Sequence, residues 1–292
     1  MNEIVITKKT LDIKKIFKDK APGLSKWIPG FVYAYLQRKV RQHELNDFLY
    51  SNKEKMNFDF VAASIERLDI KIEVKGLENI PKSGKITVAA NHPLGGPEGL
   101  GLIQVVGKVR KDITFLTNDI LMTIPNLKNL FTPVNKHGSN LDYIKSFKAA
   151  FESDKAILIF PAGLVSRKQN GKIEDLIWKS SYISRAIKYD RLIVPCYIEG
   201  KNSNFFYNLS RIRNFLKIKA NLEMFLLPDE MFKQQGKTIT FTFGKPISAH
   251  LFDERNTKHK WSAIVKEYVY KLKDRPELVF NDEYIRARLA NN

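Results

Sequence analysis

The sequence predicts an α/β fold with a single mixed, largely parallel sheet flanked by helices, and with a helical segment at the N-terminus. From Ile70 onward, short apolar runs alternate with helix-like segments, an order typical of a sheet covered by helices on both faces. This region contains no internal repeat and no low-complexity linker. We therefore predict a basic helical segment over residues 1–65 and one domain over residues 66–292 that ends in a C-terminal helix.

The N-terminal segment has a helical pattern over residues 9–52, which Pro29 and Gly30 interrupt. Its central stretch aligns apolar side chains on one helical face, with aromatic and basic residues beside them. Two interpretations fit, and both hold if they concern different faces: a helix that packs on the main domain, or an interfacial helix that lies on a membrane. The apolar face comprises Phe31, Val32, Tyr35, Leu36 and Val40, and the flanking residues are Trp27, Tyr33, Lys39 and Arg41.

Periodicity predicts seven strands and five helices in the domain. Because they alternate, most strands should run in one direction, with their carboxyl ends at one edge of the sheet, where ligands bind in such folds. The strands are expected at Ile70–Val74, Ile86–Ala90, Ile113–Leu116, Thr132–Val134, Ala156–Phe160, Leu192–Tyr197 and Thr238–Phe243. The helices are expected at Gly99–Val109, Asp142–Ser153, Leu176–Lys188, Phe205–Leu216 and His259–Leu272.

Three polar loops fall at that edge, and the first, NHPLGGPEG over Asn91–Gly99, carries His92 and Glu98. Gly95 and Gly96 allow a tight turn between them. A carboxylate that accepts a hydrogen bond from one imidazole nitrogen fixes the tautomer and leaves the other nitrogen to act as a base. This pair suits direct attack by a substrate hydroxyl or amine. The alternative is structural: a strand-end histidine in a polar turn, and an acid in the first turn of the next helix.

The other two loops contribute cations. FTPVNKHG, over Phe131–Gly138, offers Lys136 and His137 just after a short strand, and IFPAGLVSRK, over Ile159–Lys168, places Arg167 beyond a buried one. An arginine at this position can hold a carboxylate or phosphate through two parallel hydrogen bonds. Taken singly, each loop is equally well explained as exposed charge at the end of a strand.

The charge balance favours anionic partners. Lys and Arg number 49 against 31 Asp and Glu, a net charge of +18, which suits nucleic acid, anionic lipid headgroups or an acidic protein. Nucleic acid is disfavoured, because the basic residues are dispersed and no helix-turn-helix, zinc or RNP signature occurs. The single cysteine, Cys196, falls in a buried strand pattern, and His43, His250 and His259 lack metal-ligand spacing, so we predict no metal site.

No apolar run approaches the ~18 residues that a membrane-spanning helix requires, and the N-terminus lacks a secretory pattern. We expect a cytoplasmic protein, peripheral on the inner face of the cell membrane and attracted to an anionic membrane surface.

Together, these loops resemble the sequence blocks of the phospholipid/glycerol acyltransferase superfamily, which includes the lysophosphatidic acid acyltransferases. NHPLGGPEG resembles a bacterial first block written NHPLGGLDG, with Glu98 where that block has Asp. FTPVNKHG resembles the second block, FPAGLVSR the third, commonly FPEGTRS, and LIVPCYIEG at Leu192–Gly200 the fourth. The resemblance spans about Ile70–Ile247.

The resemblance implies a glycerolipid acyltransferase-like fold and an acyl transfer in which His92 takes the proton of an acceptor hydroxyl and Glu98 orients the imidazole. The co-substrate would be a thioester of acyl-carrier protein or CoA, the acceptor a lysolipid, and no further cofactor is expected. Backbone N–H groups or Lys136 would stabilise the oxyanion. The substrate-binding residues implied by the blocks are Asn91, Gly95, Gly96, Asn135, Lys136, Pro161, Gly163, Ser166 and Arg167.

Two departures from the blocks bear on the substrate. Glu98 is one methylene longer than the usual Asp, and Ala162 replaces the acid of FPEG, which is associated with glycerol-phosphate binding in the superfamily. The second departure favours a lyso-aminolipid acceptor, such as an ornithine or glycine lipid, whose carboxylate Arg167 would bind; lysophosphatidic acid stays an alternative. Three rival functions remain at this stage: a lipid ester or thioester hydrolase that uses the same pair, an inactive membrane-binding relative, and a basic nucleic-acid-binding protein.

Overall fold

The structure, a computed structural model, describes residues 6–20, 22–118, 121–133, 141–169, 171–218 and 221–289. The strands are β1 Lys71–Lys75, β2 Ile86–Ala90, β3 Ile113–Thr117, β4 Phe131–Pro133, β5 Ala156–Ile159, β6 Arg167–Gln169, β7 Lys172–Glu174, β8 Leu192–Ile198 and β9 Thr238–Phe243. The helices are α1 Ile13–Lys20, α2 Pro22–Ser25, α3 Gly30–Lys39, α4 Gln42–Ser51, α5 Asn57–Arg67, α6 Pro97–Val109, α7 Leu141–Glu152, α8 Ser181–Tyr189, α9 Asn204–Phe215, α10 Leu227–Phe232, α11 Lys258–Lys271 and α12 Asp282–Leu289.

Seven strands form one sheet in the order β1-β9-β8-β2-β5-β3-β4. The five strands from β8 to β4 are parallel, whereas β9 pairs antiparallel with β8 and carries β1 parallel to itself. This mixed, largely parallel sheet confirms the predicted fold class, and all seven predicted strands are present. The β6–β7 hairpin outside the sheet was not predicted, because its sequence, RKQNGKIE, is polar and lacks alternating apolar residues.

The sheet is buried on both faces, which explains why its central strands read as continuous apolar runs. Val88 of β2 faces a core built with α5 and α6, and its neighbour Ala89 faces a second core built with α8 and α11. The predicted start of one helix was wrong, because α8 begins at Ser181 rather than Leu176. Helices α10 and α12 were not predicted.

The N-terminal helices have a small core of their own, formed by Ile13, Tyr33 and Val40. It docks on the domain through the ring of Phe17, which stacks on Phe225 at a centroid distance of 5.1 Å. Helix α5 instead packs on α6 in the main core, so the predicted boundary at residue 65 falls inside a helix that belongs to the domain.

The predicted apolar face of α3 was wrong in part. Tyr33, expected at its flank, is buried, whereas Phe31 and Tyr35, expected within the face, are 76% and 46% exposed. The helix turns the side that carries Tyr33 and Val40 toward α1, which leaves Phe31 and Tyr35 open together with Trp27. Among the described residues, no helix is both long enough and apolar enough to cross a bilayer.

Candidate active site

The loops that follow β2 and β5 meet at the carboxyl edge of the sheet, as expected for parallel neighbours. The backbone N–H of Ser166, in the loop after β5, donates to the carbonyl oxygen of His92, in the loop after β2, at 2.7 Å. Of the predicted second loop, FTPVNKHG, the residues Asn135 and Lys136 lie outside the described residues. The structure therefore brings together the first and third of the predicted blocks.

His92 and Glu98 form a hydrogen-bonded pair. His92 Nδ1 lies 2.8 Å from Glu98 Oε1, and the carboxylate is fully buried while the imidazole stays 17% exposed. An ionised carboxylate can only accept, so Nδ1 carries the proton and Nε2 carries the lone pair. Within the described part of the chain, Nε2 has no hydrogen-bond partner. The geometry presents one imidazole nitrogen as a base.

Glu98 is held by the backbone of its own loop. Its Oε1 accepts hydrogen bonds from the amides of Leu94 at 2.7 Å and Gly95 at 2.6 Å, and its Oε2 accepts one from Gly96 at 2.8 Å. Burial alone raises the pKa of Glu98, but the charge and hydrogen bond of His92 and the glycine amides outweigh it, so its pKa lies below the ordinary value. Glu98 is therefore ionised at neutral pH, although it is buried.

Glycine is required at position 95. Its φ of +97° is strained for other residues, and a Cβ there would come within 2.7 Å of Leu227 Cδ2 and 2.9 Å of Val165 Cγ2. The resemblance implied that Gly95 and Gly96 bind substrate and that backbone N–H groups stabilise the oxyanion. The amides of Leu94, Gly95 and Gly96 already bind Glu98, so the candidate oxyanion donors of this loop are occupied.

Asp175 is a buried carboxylate that the sequence analysis missed. It accepts a hydrogen bond from the backbone N–H of His92 at 3.1 Å, from the Ser166 hydroxyl at 2.6 Å and from Trp178 Nε1 at 2.8 Å. Burial raises the pKa of Asp175 above its ordinary value. Because it holds both loops that meet at the site, we assign it a positioning role. A lone aspartate far along the chain from His92 offered no signal.

Two asparagines join the loop after β2 to the end of β8 and to the chain that follows it. Asn91 donates from Nδ2 to the carbonyl of Ile198 and accepts from its N–H at 2.6 Å, which prolongs the β2–β8 pairing through a side chain. Asn202 Nδ2 donates to the carbonyl of Leu94 at 3.1 Å, and its own N–H donates to the Tyr207 hydroxyl. Asn91 was predicted to bind substrate, and Asn202 was given no role; both fix the loop.

An aromatic ring of the loop after β5 packs on the face of the imidazole. The Phe160 ring stacks on His92 at 4.1 Å, with 13° between the ring planes, and limits how the imidazole can turn. Pro161 and Gly163 form the turn after Phe160, and the Lys179 ammonium would lie 3.2 Å from a Cβ at Gly163. Pro161 and Gly163 therefore lie beside the pair, and substrate binding by them stays a prediction.

Arg167 is placed differently from the expectation. Its guanidinium is buried and donates to Glu223 Oε1 through Nε at 3.2 Å and Nη2 at 3.0 Å, while Nη1 donates to the Val165 carbonyl. Arg213 binds the other oxygen of Glu223 at 2.8 Å. Sequence reasoning could not foresee a partner so far along the chain. Arg167 was expected to bind a substrate carboxylate, but Glu223 accepts the hydrogen bonds of its Nε and Nη2.

A cavity of about 210 Å³ opens beside this ion-paired group. Lys168 and Arg211 add two further cations to Arg167 and Arg213 in its lining, so that the cavity keeps an excess of positive charge over Glu223. A lining of this charge suits an anionic group of a substrate. Within the described residues, no group of three or more His, Cys, Asp or Glu side chains has the arrangement of a metal site.

Comparison with known proteins gives consistent similarities. An acyltransferase family model matches residues 15–277. Lyso-glycine lipid O-acyltransferases of Phocaeicola vulgatus and Bacteroides thetaiotaomicron are each 47% identical over 264 residues, which covers 90% of this chain and 95% and 97% of theirs. The solved 1-acyl-sn-glycerophosphate acyltransferase PlsC of Thermotoga maritima has a TM-score of 0.48 at 19% identity, covering 86% of this chain and 91% of that one.

Proposed function

The chain belongs to the acyltransferase family, and we propose that it transfers a fatty acyl group to the hydroxyl of a lyso-aminolipid such as a lyso-glycine lipid. The names of the two relatives support this acceptor, since they share 47% of the sequence over nearly their full length. The observation that carries the chemistry is the pairing of His92 Nδ1 with a buried, ionised Glu98, which leaves Nε2 as the base.

In the proposed reaction, His92 Nε2 removes the proton of the acceptor hydroxyl as its oxygen attacks the thioester carbonyl. The new C–O bond forms the ester, the C–S bond breaks, and the thiolate leaves and takes the proton from the imidazolium. Glu98 stabilises that imidazolium and keeps the Nδ1–H tautomer throughout. Phe160 stacks on the face of the imidazole, and Asp175 accepts a hydrogen bond from the backbone N–H of His92. The base is therefore held in position before the substrate binds.

We assign the acyl donor to a thioester of acyl-carrier protein or CoA, and the anionic head group of the acceptor to the cavity beside Arg167. The excess positive charge of that cavity supports the second assignment. Arg167 would contribute to head-group binding as part of the ion-paired group that it forms with Glu223 and Arg213, rather than as a free guanidinium.

The test compares His92→Ala with wild type, using His259→Ala as the matched control, because His259 is exposed on α11. General base catalysis contributes ~10²–10⁴-fold, so His92→Ala should lose at least that much acyl transfer while His259→Ala keeps it. Comparing the rates of acyl transfer to lyso-glycine lipid and to lysophosphatidic acid, with the same thioester as donor, identifies the acceptor. Free fatty acid as the product would instead favour the hydrolase alternative, and turnover by His92→Ala would contradict the mechanism.

We further propose that the protein works on an anionic membrane surface, contacted by the open side of α3. Trp27, Phe31 and Tyr35 are exposed there, and the net charge of +18 attracts acidic lipid. Trp27→Ser with Phe31→Ser should weaken sedimentation with anionic vesicles. Equal binding of the variant and wild type would exclude this segment as a contact.

A further inference from the structure

Helix α9 carries a second apolar surface that no other described element covers. Its Phe206 and Tyr207 are buried against the domain, whereas Phe205, Ile212 and Phe215 are 54%, 56% and 85% exposed. Phe205 and Ile212 are two helical turns apart on the same face. Leu216, at the end of the helix, extends that face and is 58% exposed. Exposed apolar side chains grouped in this way mark an interaction surface.

The chain segment that carries this surface has charged side chains of positive sign only. No acidic residue occurs in the sequence between Glu199 and Glu223, and Glu223 is buried. Arg211 and Lys217 are exposed beside Phe215, and neither forms an ion pair among the described residues. Apolar side chains flanked by unpaired cations complement an anionic lipid surface, into which the apolar groups insert while the cations meet the headgroups.

The position of α9 supports the same partner. Both α9 and α3 contact the short 3₁₀ turn at Leu222–Leu226, so the open side chains of α3 and those of α9 belong to adjoining parts of the molecule. The basic cavity that would take the acceptor head group is lined from α9 by Tyr207 and Arg211. A lipid surface at α9 would therefore deliver its headgroups next to that cavity.

We propose that the exposed face of α9 is a membrane-contacting surface for anionic lipid, separate from the N-terminal segment, from which the acceptor reaches the site. The delivery step rests on the proposed function, whereas the contact itself does not. Vesicle binding can be measured without substrate, so its result stands apart from whether the protein transfers acyl groups.

The experiment uses the full chain and vesicles of phosphatidylglycerol and phosphatidylcholine. Ile212→Ser with Phe215→Ser should lower the partition coefficient about tenfold or more, because two apolar insertions are lost. Ile177→Ser is the matched control, since Ile177 is 86% exposed but lies outside α9. Unchanged thermal unfolding of the double variant shows that the fold is kept. Equal vesicle binding of the double variant and wild type would overturn the proposal.

A direct measurement uses the fact that the single native cysteine, Cys196, is buried. A polarity-sensitive dye attached at Phe215→Cys should shift to shorter wavelength on anionic vesicles and not on neutral ones, while the same dye at Ile177→Cys stays unshifted. If the dye instead responds to protein concentration without lipid, and the Ser variants abolish self-association, α9 binds a second copy of the chain and the proposal is wrong.

Discussion

Replacing Glu98 by Gln is the sharpest test of the roles assigned to Glu98, because the hydrogen bonds that the variant keeps and loses can be derived from the structure. Oε1 receives His92 Nδ1 and the amides of Leu94 and Gly95, whereas Oε2 receives only the amide of Gly96. A Gln whose carbonyl oxygen occupies the Oε1 position keeps the first three bonds. Its NH₂ group then faces the N–H of Gly96, and two donors oppose each other.

The expected cost follows from these four contacts. Three charge-assisted bonds become neutral, which weakens each by about 1 kcal/mol, and the unsatisfied Gly96 amide costs roughly 1–3 kcal/mol. We therefore expect Glu98→Gln to lower the free energy of unfolding by about 4–6 kcal/mol. Catalysis should also fall, by about 10²-fold, because the imidazolium loses its counter-charge while the tautomer is kept.

Denaturant unfolding and acyl-transfer assays measure the two effects separately. Glu254→Gln is the control, since Glu254 is exposed and lies outside the site. The loss of activity should exceed the loss expected from the unfolded fraction alone. If Glu98→Gln were as stable and as active as Glu254→Gln, both the loop-clamping role and the catalytic role of Glu98 would be refuted.

Further predictions follow from neighbouring groups. Asp175→Asn should lower kcat about 10- to 100-fold with little change in acceptor KM, because it displaces His92 without touching substrate; a parallel rise in KM would argue against a positioning role. The folded-state pKa of Glu98 is lowered, so ionised Glu98 adds to the free energy of unfolding above the ordinary carboxyl pKa near ~4.3, and this contribution is lost as the pH falls further. The difference in free energy of unfolding between wild type and Glu98→Gln should therefore shrink below that pH. A constant difference would contradict the assignment. Arg167→Lys should raise acceptor KM about tenfold and leave donor KM unchanged, since it disrupts the ion pair with Glu223 in the lining of the cavity. If the variant changed only the stability, Arg167 would have no role in substrate binding.

The sheet and the pairing of His92 with Glu98 could both be predicted from the amino-acid sequence. Strands that are buried on both faces appear as uninterrupted apolar runs such as Ile86–Ala90, and a parallel sheet must place the loops after such strands at one edge. His92 and Glu98 were predictable for the same local reason: they lie in one loop, and the intervening glycines allow the chain to fold back on itself. Interactions between residues that are close in the chain can be predicted from the local sequence pattern.

The contacts that these groups make could be identified only from the folded protein. Glycine amides that seemed available for a substrate bind Glu98, because a buried carboxylate must be satisfied by the nearest donors. Arg167 pairs with Glu223, and Asp175 supports His92, across separations of dozens of residues in the chain. Such partners are chosen by burial and by the packing of distant loops, and a charged residue in a polar loop has the same local pattern whether it faces water, a substrate or a buried counter-ion.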